Sequence, residues 1–353
     1  MWGVEPSLTG DYVFKISLLG MMDALKSGTT SINDHYFFAD NVAQAALHIG
    51  IRGFIGHTIM TEYGPWVGSE QIDYAKNFID KWENTETIHP ILAPHETSTV
   101  DPKTLIELSE YAKEKNLTTH MHLSQTQKEM DYIKSKYNKS PIEHVYSLGI
   151  LDKNVIAAHC NVVDENDLEI LAQTGAYPVF CPTTHGLGGK VLDTFKLNQL
   201  GLSWGIGSDC SGGNDDYDML EEMRATLILH NSKNQNNKIT PKDVYQIATS
   251  MNINRITQGK QIGTLENGQN ADFIVIDCLN SKMQPLHDVV NNIVTCASNN
   301  EVTDVFVNGK EVIKNSKFMN VDENELIEDA ILTINELMSK AGFKENIENG
   351  EYK

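Results

Sequence analysis

The sequence predicts an α/β fold of the (β/α) barrel kind with a small β module behind it, and three observations carry that prediction. Short apolar strands alternate with amphipathic helices from Thr29 to Met251, the pattern of parallel βα units. No strand-to-helix turn in that series carries a Gly-x-Gly-x-x-Gly fingerprint, which favours a barrel over a dinucleotide-binding sheet. After about Gln258 the alternation gives way to β-type runs separated by Gly/Asn turns.

Apolar residues at helical spacing (Phe14, Leu18, Leu19, Met22, Leu25) predict a helix over 14–26, stopped by Ser27-Gly28. Strands are predicted at 29–33, 52–57, 89–94, 118–123, 155–159, 176–181 and 203–208. The helices between them are placed at 40–48, 69–82, 102–115, 141–148, 165–173 and 191–200, with two more at 219–230 and 241–251. That makes seven strands, where a closed barrel takes eight. The β module is expected in the runs 263–268, 271–277 and 305–313, with Asn308-Gly309 as a type I′ hairpin turn. A helix over 324–340 and a frayed acidic tail complete the chain. The division expected is a barrel over 1–258, a β module over 259–320, and the helix and tail over 321–353.

The chain has 353 residues, 40% hydrophobic and 22% charged, enough to bury one large core or two ordinary ones and incompatible with a disordered or fibrous protein. Its 28 basic and 48 acidic residues leave a charge of −20, which repels phosphate backbones and anionic lipid, so neither nucleic acid nor membrane is an expected partner. Five scattered cysteines without Cys-x-x-Cys spacing suit a reducing compartment. The start of the chain lacks a basic segment followed by an apolar one, and no apolar run approaches a membrane span, so a cytoplasmic protein is expected.

A βα barrel places its chemistry at the C-terminal ends of the strands. The polar residues closing the predicted strands are Asp34 and His35, His57, His95, His120 and His122, His159, Thr183 to His185, and Asp209. Imidazoles with a carboxylate form the ligand set of a borderline divalent ion such as Zn²⁺ or Fe²⁺. His120 and His122, two apart on a strand, share a face, although either also has a plain reading as a satisfied core histidine. Asp209 ends a strand in a Gly/Ser-rich turn. It reads as an Asx-turn or helix cap, or as the carboxylate that takes a proton from metal-bound water. Glu221-Glu222 and Asp215-Asp216 are expected to be a solvated face and helix-start charges.

These residues, in this order, resemble the amidohydrolase superfamily, and within it the cytosolic branch of methylthioadenosine/S-adenosylhomocysteine deaminases, guanine deaminases and triazine chlorohydrolases. The resemblance runs through Lys26-Ser-Gly-Thr-Thr30 with Asp34, Ala93-Pro-His95, His120-Met-His-Leu-Ser-Gln-Thr126, Ala158-His159-Cys160, Gly207-Ser-Asp209 and Ile262-Gly-Thr-Leu-Glu-Asn-Gly-Gln-Asn-Ala-Asp272. It implies a (β/α)8 TIM-barrel metal-dependent hydrolase with a composite β-sandwich, of which residues 259–320 would be the C-terminal half. It also implies one divalent ion, Zn²⁺ or Fe²⁺, held by His122 and Asp209. Asp209 and His159 would be catalytic, with His95, Gln125 and His185 binding a small heterocycle such as a purine, pterin or triazine. The implied reaction is attack by metal-activated hydroxide that expels ammonia or another leaving group. A homodimer is compatible with the resemblance.

Departures from the family pattern matter as much. The first barrel strand, with its His-x-His ligand pair, and the leading half of the sandwich are missing, so the chain is expected to be N-terminally truncated relative to the family. Recruitment of His35 or His57 in place of those ligands is not expected. Gln125 stands where these deaminases place a Glu, and an amide donates a hydrogen bond but relays no proton. His57 and Thr183-Thr-His185 also replace expected residues, so methylthioadenosine and S-adenosylhomocysteine are not the expected substrates. A second reading is therefore a catalytically incompetent, truncated or degenerate homologue.

Overall fold

The computed structural model describes residues 3–191, 194–234, 236–251 and 261–343. Eight parallel strand segments occupy the seven predicted strand positions: β1 (Ser31–Tyr36), β2 (Arg52–Ile59), β3 (Ile88–Pro90) and β4 (Ala93–Pro94), which share one position, then β5 (Thr119–Leu123), β6 (Val155–His159), β7 (Tyr177–Phe180) and β8 (Gly205–Ile206). β1 pairs with β2, β2 with both β3 and β4, and β5 to β8 follow in order, every pair parallel. A bridge between Leu92 and Thr119 carries the wall from one group to the other. Among the described residues no strand pairs with the free edges of β1 and β8. The consequence shows in burial: every residue of β2 and β6 is buried, as a parallel strand covered on both faces should be, whereas every residue of β1 is only half-buried.

The helices on the outside are α1 (Gly10–Lys26), α2 (Ala39–Ile49), α3 (Ser69–Trp82), α4 (Pro102–Lys115), α5 (Gln127–Tyr137), α6 (Pro141–Ser147), α7 (Glu165–Thr174), α8 (Pro182–Leu187), α9 (Thr194–Gln199), α10 (Ser211–Asn214), α11 (Met219–Lys233) and α12 (Pro241–Thr249). Their starts are set by side-chain caps. Asp101 accepts from Thr104 N at 3.0 Å with Pro102 in the first turn, and Ser140, Asp164 and Thr240 each form reciprocal capping boxes with an acidic residue three positions on. α1 begins four residues before the predicted start because the Thr9 hydroxyl caps Tyr12 N, a signal that precedes the first periodic apolar residue. Its buried face, with Val13, Leu18, Met22 and Leu25, packs on α2.

The β module is an antiparallel sheet in the order β12 (Lys317–Phe318), β11 (Lys310–Lys314), β10 (Val302–Val307), β9 (Phe273–Ile276). Asn308 and Gly309 both take positive φ, 51° and 75°, as a type I′ turn requires. The predicted run 263–268 is turn rather than strand. A helix unanticipated in the sequence, α13 (Val289–Cys296), is capped by Asp288 and built from β-branched residues that disguise it as strand. α14 (Glu323–Lys340) lies against α1. The expected barrel boundary at 258, residues 192 and 193 of the predicted helix 191–200, and the acidic tail beyond 343 lie outside the described residues.

At the start of β2, Arg52 joins barrel to module. Its fully buried guanidinium donates from Nε and Nη2 to the two carboxylate oxygens of Asp272, at 2.7 and 2.9 Å, and from Nη1 to the Glu86 carbonyl at 3.1 Å.

Candidate functional site

The C-terminal ends of the strands gather imidazoles around one mouth. β1 extends three residues past the predicted end, so His35 lies within it rather than beyond it. The His35 ring centroid is 4.7 Å from that of His122 on β5, 5.1 Å from His120 and 6.0 Å from His95, which follows β4. His122 lies 4.9 Å from His95 and stacks on His159 of β6 at 5.2 Å. His159 Nδ1 is 3.0 Å from Nε2 of His185 on α8 and 4.0 Å from Asp209 Oδ2 beyond β8. Four residues beside this mouth, Ser124, His159, Cys160 and Asp209, hold left-handed backbone without being glycine, the strained geometry that tends to gather at functional sites.

Two hydrogen bonds orient the key groups. His122 Nδ1 lies 3.1 Å from the His95 carbonyl oxygen, which can only accept, so the proton is on Nδ1 and Nε2 keeps its lone pair. Asp209 Oδ1 accepts from Cys210 N at 2.8 Å, leaving Oδ2 as the oxygen nearer His159. Burial pushes the imidazoles below their ordinary range, His122 and His185 to about 4 and His120 to about 3, with His35 and His159 well below and further lowered by neighbouring histidines. All are therefore neutral near pH 7. Burial acts oppositely on the acids, raising Asp209 and pushing Asp34 up to about 6.

Several polar atoms of residues at or next to this mouth are buried without a protein partner: both ring nitrogens of His35, His120 Nδ1, His185 Nδ1 and Ser124 Oγ. Buried polar atoms left unpaired are costly, so their concentration at a barrel mouth marks a place built for something else to bind.

Of the residues singled out in the sequence, His95, His122, His159, His185 and Asp209 are linked in this constellation through the contacts above. Gln125 follows β5 and Ser124, its backbone N–H donating to Glu129 Oε2 at 2.9 Å. His57 is directed elsewhere, hydrogen-bonded from Nε2 to Gln71 Oε1 at 2.8 Å and stacked on Tyr74 at 4.1 Å. Sequence reasoning offered His35 as a strand-end residue but not as an expected ligand, and ended its strand at Asn33. Continuing the period of two from Asn33 would have put His35 on the same face. It also passed over Cys181, which lies at the foot of α8. Glu222 is no solvated charge: it is fully buried, accepting from Thr183 N at 3.0 Å and Asn214 Nδ2 at 2.9 Å, and burial pushes it up to about 7.

The model of the amidohydrolase family matches residues 2–312. The chain is 30% identical over 329 residues to a 5-methylthioadenosine/S-adenosylhomocysteine deaminase of Clostridium tetani, covering 93% of this chain and 76% of that one. It is 31% identical over 342 residues to a 5'-deoxyadenosine deaminase of Methanopyrus kandleri, covering 96% and 79%. In structure it is similar to an adenosine deaminase from Xanthomonas campestris with bound zinc, with a TM-score of 0.91 at 25% identity over 96% of this chain and 78% of that one.

Proposed function

The chain belongs to the amidohydrolase family, and from that premise we propose that it hydrolytically deaminates an amino-substituted N-heterocycle of the purine, pterin or triazine kind in the cytoplasm, using a divalent ion, Zn²⁺ before Fe²⁺. The observation that supports this reading most is the ring of neutral imidazoles meeting Asp209 at the strand ends. These residues fit a divalent ion. Their nitrogens carry lone pairs, the His122 tautomer is already fixed with Nε2 free, and His35 brings two buried nitrogens that no protein group satisfies. His122 and Asp209 would hold the ion, with His35 alongside. When bound, it supplies Lewis acidity that lowers the pKa of a water molecule and polarises the carbon under attack.

The remaining chemistry belongs to the chain. Asp209 Oδ2 takes the proton of the attacking water, its other oxygen being occupied by Cys210 N–H. His159, whose Nδ1 meets His185 Nε2, keeps Nε2 to donate toward the oxyanion that develops. His95, Gln125 and His185 orient the heterocycle. The Gln125 amide can donate to a ring nitrogen but cannot protonate it, so the first proton of the water, taken by Asp209, is the one available for the ring, and the second, released as the added hydroxyl becomes the carbonyl, leaves with the amine as ammonia.

An inert homologue explains the site less well. It would keep unpartnered buried nitrogens at a stability cost with no ligand to offset it. The deciding experiment measures metal content of the purified chain together with ammonia release from adenosine-like nucleosides, aminopterins and amino-triazines. Turnover with stoichiometric metal is expected; absence of both ends the proposal.

A further inference from the structure

Cys181 lies just beyond β7, and Cys181 and His185 stand four residues apart where the chain enters α8, with His185 N donating to the Cys181 carbonyl at 3.0 Å. Positions i and i+4 on one helical turn face the same way, the spacing by which metal-binding helices present two ligands. From the neighbouring strand comes His159. One ligand atom from each of His159, Cys181 and His185 lies within 4.8 Å of the other two, and all three side chains are buried. Among the described residues this is the one trio of histidine, cysteine or carboxylate groups that converges so closely.

We infer that His159, Cys181 and His185 form a thiolate-containing cation position for a thiophilic divalent ion such as Zn²⁺, beside the His122 and Asp209 pair. The inference rests on the reading that the barrel mouth binds a metal, and deepens it by naming ligands from the far side of the mouth.

Three features support it. The 3.0 Å between His159 Nδ1 and His185 Nε2 needs to open only to about 3.4 Å, the separation of two nitrogens on a tetrahedral zinc with bonds of about 2.1 Å. Asp209 Oδ2, 4.0 Å from His159 Nδ1, is available as a fourth ligand or as the partner of a water. His185 Nδ1 is buried with no partner, so the ring proton can sit there once the His159–His185 hydrogen bond opens, leaving Nε2 as the ligand. The trio supplies three protein ligands, one of them a thiolate, enough to hold a divalent ion together with a water or a fourth protein group. Binding forms one metal–sulfur bond and two metal–nitrogen bonds. The thiol proton leaves to solvent, and both imidazoles, already neutral, give up none. A thiolate ligand also sets the preference: Zn²⁺, Co²⁺ and Cd²⁺ over Mg²⁺, Mn²⁺ and Ca²⁺.

The test uses the full chain, stripped with a chelator and titrated with Co²⁺. A thiolate-to-cobalt charge-transfer band in the near ultraviolet is expected to saturate with metal, to vanish in Cys181→Ser with affinity reduced at least about 100-fold, and to persist in Cys160→Ser and Cys210→Ser, the other cysteines near the mouth. Should Cys181→Ser fail to fold, X-ray absorption on the zinc-loaded wild-type chain reads the same ligand, with a sulfur expected at about 2.3 Å. Metal bound with no sulfur ligand, or a band lost in Cys210→Ser and kept in Cys181→Ser, overturns this position and leaves the metal-dependent reading standing. No metal bound at all overturns both.

Discussion

At the scale of single residues, the proposed function divides the handling of protons between Asp209 and Gln125. Asp209 is fixed by left-handed backbone, φ 63°, and by the Cys210 N–H on one oxygen, so the other is its free acceptor. Asp209→Asn presents an amide that cannot accept the water's proton. The expected result is a fall in kcat of about 10²- to 10⁴-fold on whichever substrate the ammonia screen identifies. Less than a tenfold loss would remove Asp209 from the base role. Gln125 makes the complementary prediction. Gln125→Glu restores an ionisable donor next to the substrate, so kcat for ring deamination should rise while KM changes little, and the gain should fade as pH increases and the new carboxyl ionises. If a kcat profile showed no gain at any pH, proton delivery to the ring would not be what Gln125 limits.

At the scale of elements, the strand and helix series was readable in the sequence because a parallel barrel writes itself as apolar strands and amphipathic helices in strict alternation. What could not be read was where polar residues continue a strand. Asp34, His35 and Tyr36 lie beyond the predicted strand, yet they pair with Ile55, Gly56 and His57 of β2, since backbone pairing is indifferent to side-chain polarity. In the candidate site the strand-end histidines, His35 among them, were legible, while the packing of His35 on His120 and His122 and the burial of Glu222 depend on contacts far away in sequence. Glu129 on α5 is a third case. It accepts from Thr97 Oγ1 at 2.7 Å and from Gln125 N, tying α5 to the loops after β4 and β5. Burial, and the neighbouring Glu96 carboxylate, push it up to about 8 from an ordinary 4.5. The folded state therefore binds a proton that the unfolded state has released, and stability falls as pH rises through that interval. The histidines act oppositely but only below their ordinary 6.5, where the unfolded chain becomes protonated and the buried rings do not. Between about pH 6.5 and 8 the thermal midpoint of the wild type should thus decline. Glu129→Gln should flatten that decline, and an unchanged slope in a melting series would refute the assignment.

At the scale of the whole molecule, the Arg52–Asp272 joint and the proposed chemistry occupy opposite ends of the barrel. The imidazoles and Asp209 lie at the C-terminal ends of the strands, whereas Arg52 opens β2 at the other end and there clamps the β module through Asp272. Asp272 is the hub of that joint: its two oxygens receive the Arg52 fork, and Oδ1 also receives Asn308 N at 2.7 Å from the hairpin between β10 and β11. With the edges of β1 and β8 unpaired among the described residues, the barrel wall depends more than usually on what is packed around it, and the module is part of that packing. Asp272→Ala leaves a guanidinium with a side-chain exposure of 0% and no counter-charge, which should cost about 3 to 5 kcal/mol of unfolding free energy. Asp272→Asn keeps an oxygen for one of the two donors and should cost less. Because the joint is remote from the strand ends, metal bound per folded molecule should stay at the wild-type value in both variants, measured below their melting temperatures. A loss of metal in step with the loss of stability would show instead that the module shapes the mouth itself, and that the two ends of this barrel are not independent.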